Sequence, residues 1–166
     1  MDVIIFGGQS NMQGGSYVLP KKNEPVFGAV EYKWNEKCVE PLCHPVGEDF
    51  STYILAAAKG GGSLIPDFCK IYIKESGREI FAIPAACGNT TVGQWLYGTQ
   101  RYHYAKQKIR DGISYARSMG TVDHITRISL IDEYQNFDAL GHFNNKGYEI
   151  IGREAGPALA EYVKGL

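Results

Sequence analysis

No stretch of this chain is apolar for long enough to span a bilayer, and neither sign of charge dominates. With 17 basic and 18 acidic residues the net charge is −1, and the basic residues are scattered along the chain. That pattern offers no electrostatic footprint for nucleic acid or an anionic membrane surface, and it suits small neutral substrates better. The four cysteines, Cys38, Cys43, Cys69 and Cys87, lack both CxxC pairing and a histidine at zinc-site spacing. They are therefore expected to be free thiols in a reducing compartment. The first residues show no basic segment, apolar core or small-residue cleavage site, so a cytoplasmic protein without a secretory leader is expected. Internal repeats and low-complexity tracts are missing too, and Gly60-Gly61-Gly62 is too short for a linker, which leaves one domain over residues 1–166. Neither GxGxxG nor GxxxxGK[ST] occurs, which weighs against a nucleotide-binding α/β domain despite the glycines after the first strand.

What is present is organised around Val3-Ile4-Ile5-Phe6-Gly7-Gly8-Gln9-Ser10-Asn11-Met12. The apolar run reads as a buried central strand of a parallel sheet, and such sheets carry ligands at the carboxyl ends of their strands. Glycine at positions 7 and 8 permits a sharp turn, from which the Ser10 hydroxyl projects clear of the sheet, as a nucleophile requires. The competing use is a turn serine that bonds its own backbone. Residues 13–50 hold four of the seven prolines and read as a long irregular excursion, of a kind that commonly walls a site, here the one near Ser10. Ser51 to Lys59 then reads as a helix, and Asp67 caps a second that ends at Gly77.

The next strand, Glu79 to Pro84, leads into another turn of small residues, Ala85-Ala86-Cys87-Gly88-Asn89-Thr90-Thr91. If the two turns converge, the Gly88 backbone N–H can approach a substrate closely, and the Asn89 amide offers a donor where an oxyanion forms. The alternative is an ordinary capped strand-to-helix turn. Trp95, Tyr97, Tyr102 and Tyr104 form an aromatic cluster suited to stacking on a sugar ring or to packing a core. A helix with Ala105, Ile109, Gly112, Ile113 and Ala116 on one face is expected from His103 to Met119, and a further strand at Ile128 to Ile131. Then come Asp138 and His142. A histidine can take the serine proton, and a carboxylate can fix its tautomer, in the chain order Ser10, Asp138, His142. Asn144 or Asn145 is expected to cap a final helix with Tyr148, Ile151, Ala155, Leu159 and Tyr162 on its core face and a kink at Pro157.

Three segments together, Phe6 to Met12, Pro84 to Thr91 with Trp95, and His142-Phe143-Asn144-Asn145-Lys146-Gly147-Tyr148, resemble those of SGNH-type esterases. The branch they are most similar to is the sialate O-acetylesterase and acetylxylan esterase family, whose first loop is also similar to Pro41-Leu42-Cys43-His44-Pro45-Val46-Gly47-Glu48. The resemblance implies a three-layer α/β/α sandwich with a parallel sheet, SGNH-hydrolase or flavodoxin-like and shortened. It also implies Ser10 as nucleophile, His142 as base, and the Ser10 and Gly88 amides in an oxyanion hole; Gln9 and Asn11, which flank Ser10, and Asn89, by its position next to Gly88, are expected to complete the oxyanion and substrate contacts. The chain departs from the family pattern twice. Its nearest acid, Asp138, precedes His142 by four residues rather than three, and the Gly-Glu-Ser-Asp-like block is missing between Met119 and Asp138. The expected function is a serine esterase that removes short acyl groups, acetyl above all, from a carbohydrate, with no metal or other cofactor. The alternative is a carbohydrate-binding relative that has lost its triad.

Overall fold

Strand β1 (Asp2–Gly8) is hydrogen-bonded in parallel on both sides, to β4 (Ile80–Ala86) from Asp2↔Ile80 to Gly8↔Ala86 and to β5 (Ile125–Ser129) from Val3↔Ile125 to Gly7↔Ser129. The computed structural model describes residues 1–14, 19–47, 61–88, 90–129 and 145–165. Beyond β4 lie β2 (Ala29–Lys33), parallel to it, and then β3 (Cys38–Pro41), antiparallel to β2, so the order is β3-β2-β4-β1-β5. The expected α/β sandwich is present. One face of the sheet buries Ile4, Phe6 and Ala82 against α2 (Ile65–Ser76) and α4 (Asn145–Lys164) through Phe68, Tyr72, Tyr148 and Ile151. The other buries Val3, Ile5, Phe81 and Ile83 against Ala116 of α3 (Gln100–Met119). Apolar residues at successive positions of β1 and β4 are what a strand covered on both sides requires.

Two strands lie inside the stretch read as irregular. β2 and β3 escaped notice because Glu31, a charged residue at a buried position, interrupts the apolar pattern, and because Pro41 is tolerated at the end of an outer strand. The Asp67 helix starts earlier, at Ile65 with Pro66 in its first turn, and it ends as expected at Gly77, whose N–H bonds Ile73 O at 2.8 Å. α3 likewise begins at Gln100 rather than His103, capped by the Thr99 hydroxyl, which accepts from Tyr102 N at 3.3 Å. β5 starts three residues before the expected Ile128. The expected helix Ser51 to Lys59 lies outside the described residues.

In α4 the expected core face holds at Tyr148 and Ile151, which are buried, and at Ala155 and Leu159, which pack against the core, but not at its last position. Tyr162 is 64% exposed, while Gly152, Gly156, Ala160 and Val163 are buried. Close packing on α2 selects the small residues. A Cβ on Gly152 would come within 2.7 Å of Phe68 N, and one on Gly156 within 3.0 Å of Ile71 Cβ.

The amino ends of the strands are fastened by charge. Asp2 Oδ2 accepts hydrogen bonds from the Tyr72 hydroxyl and, at 2.8 Å, from Arg78 Nε. Arg78 Nη2 lies 3.1 Å from Asp123 Oδ2, which also receives the N-terminal ammonium at 2.8 Å.

Candidate active site at the carboxyl end of the central strands

β1 and β4 end level with one another, and the Cys87 N–H extends the ladder one residue further by bonding Gly8 O at 2.9 Å. Gly8 has φ +152°, a region that favours glycine, and a Cβ there would meet Met12 Cβ at 3.0 Å. Of the two glycines, this is the one that makes the sharp turn. Gln9 is exposed, and its carbonyl accepts from Met12 N and Gln13 N. Ser10, partly exposed, opens the single helical turn α1 (Ser10–Gln13), which closes when the Gly14 N–H bonds Ser10 O at 2.9 Å. Asn11 is buried, and its Oδ1 accepts from the Tyr148 hydroxyl at 3.2 Å, which ties the turn to the start of α4.

The two small-residue turns meet. A Cβ on Gly88 would stand 3.2 Å from Ser10 Cβ and 3.3 Å from Ser10 Cα, so glycine is what lets the second turn lie against the serine. The Gly88 N–H donates to Gln13 Oε1. Gln13 is therefore a residue of this site that sequence reasoning missed. The signal available was positional: a residue three places after Ser10 falls on the same face of one helical turn.

The second turn is braced from behind. The Thr90 hydroxyl donates to Cys87 O at 2.9 Å and accepts from Trp95 Nε1 at 2.8 Å. The buried Cys87 thiol accepts from Arg101 Nη1 at 2.9 Å; burial pushes its pKa up, and the guanidinium opposes that shift without cancelling it. All four cysteines are free, as expected. The aromatic cluster divides: Trp95 packs on Cys87, Tyr97 leans on Tyr102 with ring centres 5.3 Å apart, and Tyr104 turns away to Trp34.

The first loop is anchored at two buried polar side chains. Glu31 Oε1 accepts from Gly47 N at 2.7 Å, and Lys33 Nζ stands 3.1 Å from Oε2. Burial raises the Glu31 pKa even so. His44 is clamped by Asn23, which accepts from His44 N at 2.8 Å and donates to His44 O at 2.6 Å; its Nδ1 accepts from Ser63 N at 3.3 Å. Burial, helped by the Lys70 charge, lowers its pKa to about 4, so the ring is neutral near pH 7. Ser63 in turn backs the serine turn, since a Cβ on Gly14 would come within 2.9 Å of Ser63 Cβ.

The structure thus brings together Ser10, Gly88 and Gln13, with Gln9 and Asn11 on the same turn. Asp138, His142, Asn144 and Asn89 lie outside the described residues. Among the described residues no group of three His, Cys, Asp or Glu side chains is placed to hold a metal ion, and no helix is long and apolar enough to cross a membrane.

Residues 1–132 match the family described as SASA, carbohydrate esterase, sialic acid-specific acetylesterase. Among solved structures the chain is similar to a protein from Arabidopsis thaliana determined by X-ray crystallography, at 12% identity and a TM-score of 0.71, with 97% of this chain and 98% of that chain covered. At that identity the likeness is one of fold. No curated protein matches the chain.

Proposed function

Because the chain belongs to the sialic acid-specific acetylesterase family of carbohydrate esterases, we propose that it hydrolyses O-acetyl esters of a carbohydrate, with Ser10 as the nucleophile. The observation that carries this reading is the meeting of the Ser10 and Gly88 turns at the carboxyl end of the central strands. In the proposed reaction Ser10 Oγ attacks the acetyl carbonyl and gives its proton to His142, which Asp138 orients. The backbone N–H groups of Ser10 and Gly88 receive the developing oxyanion. The tetrahedral species collapses, His142 returns the proton to the sugar oxygen as it leaves, and water, activated by the same base, releases acetate from the acyl-enzyme. Because Gln13 Oε1 holds the Gly88 N–H at rest, the ester oxygen must displace that side chain to reach the donor.

The support for His142 is chain length. Tyr148, on the first turn of α4, bonds the residue after Ser10, and His142 precedes the first residue of α4 by three positions, a reach of at most ~10 Å. An acylating inhibitor with mass spectrometry of the modified peptide tests the assignment. Ser10 should be labelled with loss of hydrolysis, and Ser10→Ala protein should stay unlabelled. A folded protein that hydrolyses no acetyl ester and leaves Ser10 unlabelled would be the carbohydrate-binding relative instead.

A further inference from the structure

The side chains that β1 and β4 turn toward α3 taper as the strands approach the site. On β1 they run Val3, Ile5, Gly7, and on β4 Phe81, Ile83, Ala85. α3 packs tightly on the bulky half, where a Cβ on Gly112 would lie 2.8 Å from Ile83 Cδ1. Over the small half its first turns have nothing of comparable size to meet. The result is a cavity of about 530 Å³ floored by Gly7, Gly8 and Ala85 and walled by Trp95, Tyr102 and Ile109, a volume that suits a small ligand.

The charges that the described residues bring to this cavity are of one sign. Among the described residues Lys106 and Arg110 from α3 and Arg127 from β5 line it, and no carboxylate does. All three cations are exposed, and among the described residues none is ion-paired; Lys106 Nζ stands 5.7 Å from the centre of the Tyr102 ring. The Arg127 stem lies along the bare backbone of Gly7, its Cδ 3.9 Å from where a Cβ would be. Three of the chain's 17 basic residues are thus brought together here by the fold.

We propose that this cavity binds a small ligand bearing an anionic group, a carboxylate, sulfate or phosphate, on a ring-shaped body. Arg110, Arg127 and Lys106 hold the charge, and Trp95 and Tyr102 face the ring. The anion is either the acid group of the acylated sugar itself or a separate acid bound beside it. The first source rests on the esterase reading, because Gly8 on the cavity floor is two residues from Ser10; the second does not.

The test is titration of the protein with glucuronate and with glucose, followed by tryptophan fluorescence and calorimetry, on wild type, on the Arg110→Gln/Arg127→Gln double variant and on a Lys74→Gln control. Glucuronate should bind at least about tenfold more tightly than glucose. The double variant should lose about twentyfold, at about fivefold per exposed charge, with the control unchanged. If the acid group belongs to the substrate, an acetylated methyl glucuronide will be hydrolysed with higher kcat/KM than the corresponding glucoside, and the double variant will erase the difference. If a separate acid occupies the cavity, glucuronate will bind while the two esters are hydrolysed alike. Equal binding of the two sugars, or an unaltered affinity in the double variant, overturns the site even in an active esterase. Charge-dependent binding by a protein that hydrolyses no ester leaves the site standing and removes the esterase reading.

Discussion

At the amino end of β1, Asp2 is buried beneath Tyr72 and Arg78, and Asp123 and the chain terminus continue the network. Six residues later the same strand ends in Gly8, followed by a partly exposed serine that lies against a glycine of the next turn, whose N–H donates to Gln13. β1 and β4 run through both ends, so the backbone ladder is common to them and the side chains make the difference. Charge paired and buried at one end fixes the strands. Small residues at the other leave backbone N–H groups within reach of a ligand, at the cost of packing. On the proposed reading, stability and chemistry are in this way assigned to opposite ends of one pair of strands.

The largest expected effect separates the ends outright. Ser10→Ala should lower acetyl-ester turnover by at least roughly ten-thousandfold with no change in melting temperature, because alanine cannot form the acyl-enzyme. Asp2→Ala should do the reverse. Removing the shared acceptor of Tyr72 and Arg78 should cost about 3 kcal/mol in denaturant unfolding, while the protein that remains folded keeps its kcat. Gly88→Ala probes the convergence itself. The new Cβ would meet Gln13 Oε1 at 2.8 Å and Ser10 Cβ at 3.2 Å, so the displaced N–H should cost about a hundredfold in kcat with a small change in stability. Full activity in that variant would remove Gly88 from the oxyanion hole.

The site end also carries a pH signature. Folded His44 stays neutral down to about pH 4, whereas the unfolded imidazole takes up a proton below 6.5. Between those values the unfolded state binds more protons, so this contribution is complete above about pH 6.5 and is lost as pH falls toward 4, by about 3 kcal/mol. Unfolding curves of His44→Gln across that window should show a shallower dependence than wild type. The smallest effect is at Gln13. Gln13→Ala frees the Gly88 N–H and should raise the acylation rate about fivefold; a fall would mean that Gln13 shapes the turn more than it obstructs it.

The sequence carried the strand-and-turn logic of this end well. The strands at Val3 and at Glu79 to Pro84 are read correctly, because continuous apolar runs that stop in small residues have few other uses in a parallel sheet, although β4 runs two residues further than expected, through Ala86. Elements with mixed signals were less legible. Glu31 hid β2, since a carboxylate buried against Lys33 and Gly47 is invisible to a pattern of apolar residues. The glycines of α4 look like helix breakers until α2 is seen lying against them. The spacing that puts Gln13 beside Ser10, or Lys106 beside Arg110, is readable along the chain, but the bond from Gly88 to Gln13 and the joining of Arg127 to the α3 cations bring together residues far apart in it, which spacing does not encode.

The antiparallel hairpin of β2 and β3 has a consequence for how copies of the protein meet. A parallel sheet that stopped at β2 would present a row of open backbone groups to any passing strand. β3 covers that row with only four residues, and its far end offers the exposed Glu40 and Pro41, which has no N–H to give. A strand so short, charged and donor-poor is a weak template for a further strand, so this border of the sheet resists growth into edge-to-edge aggregates.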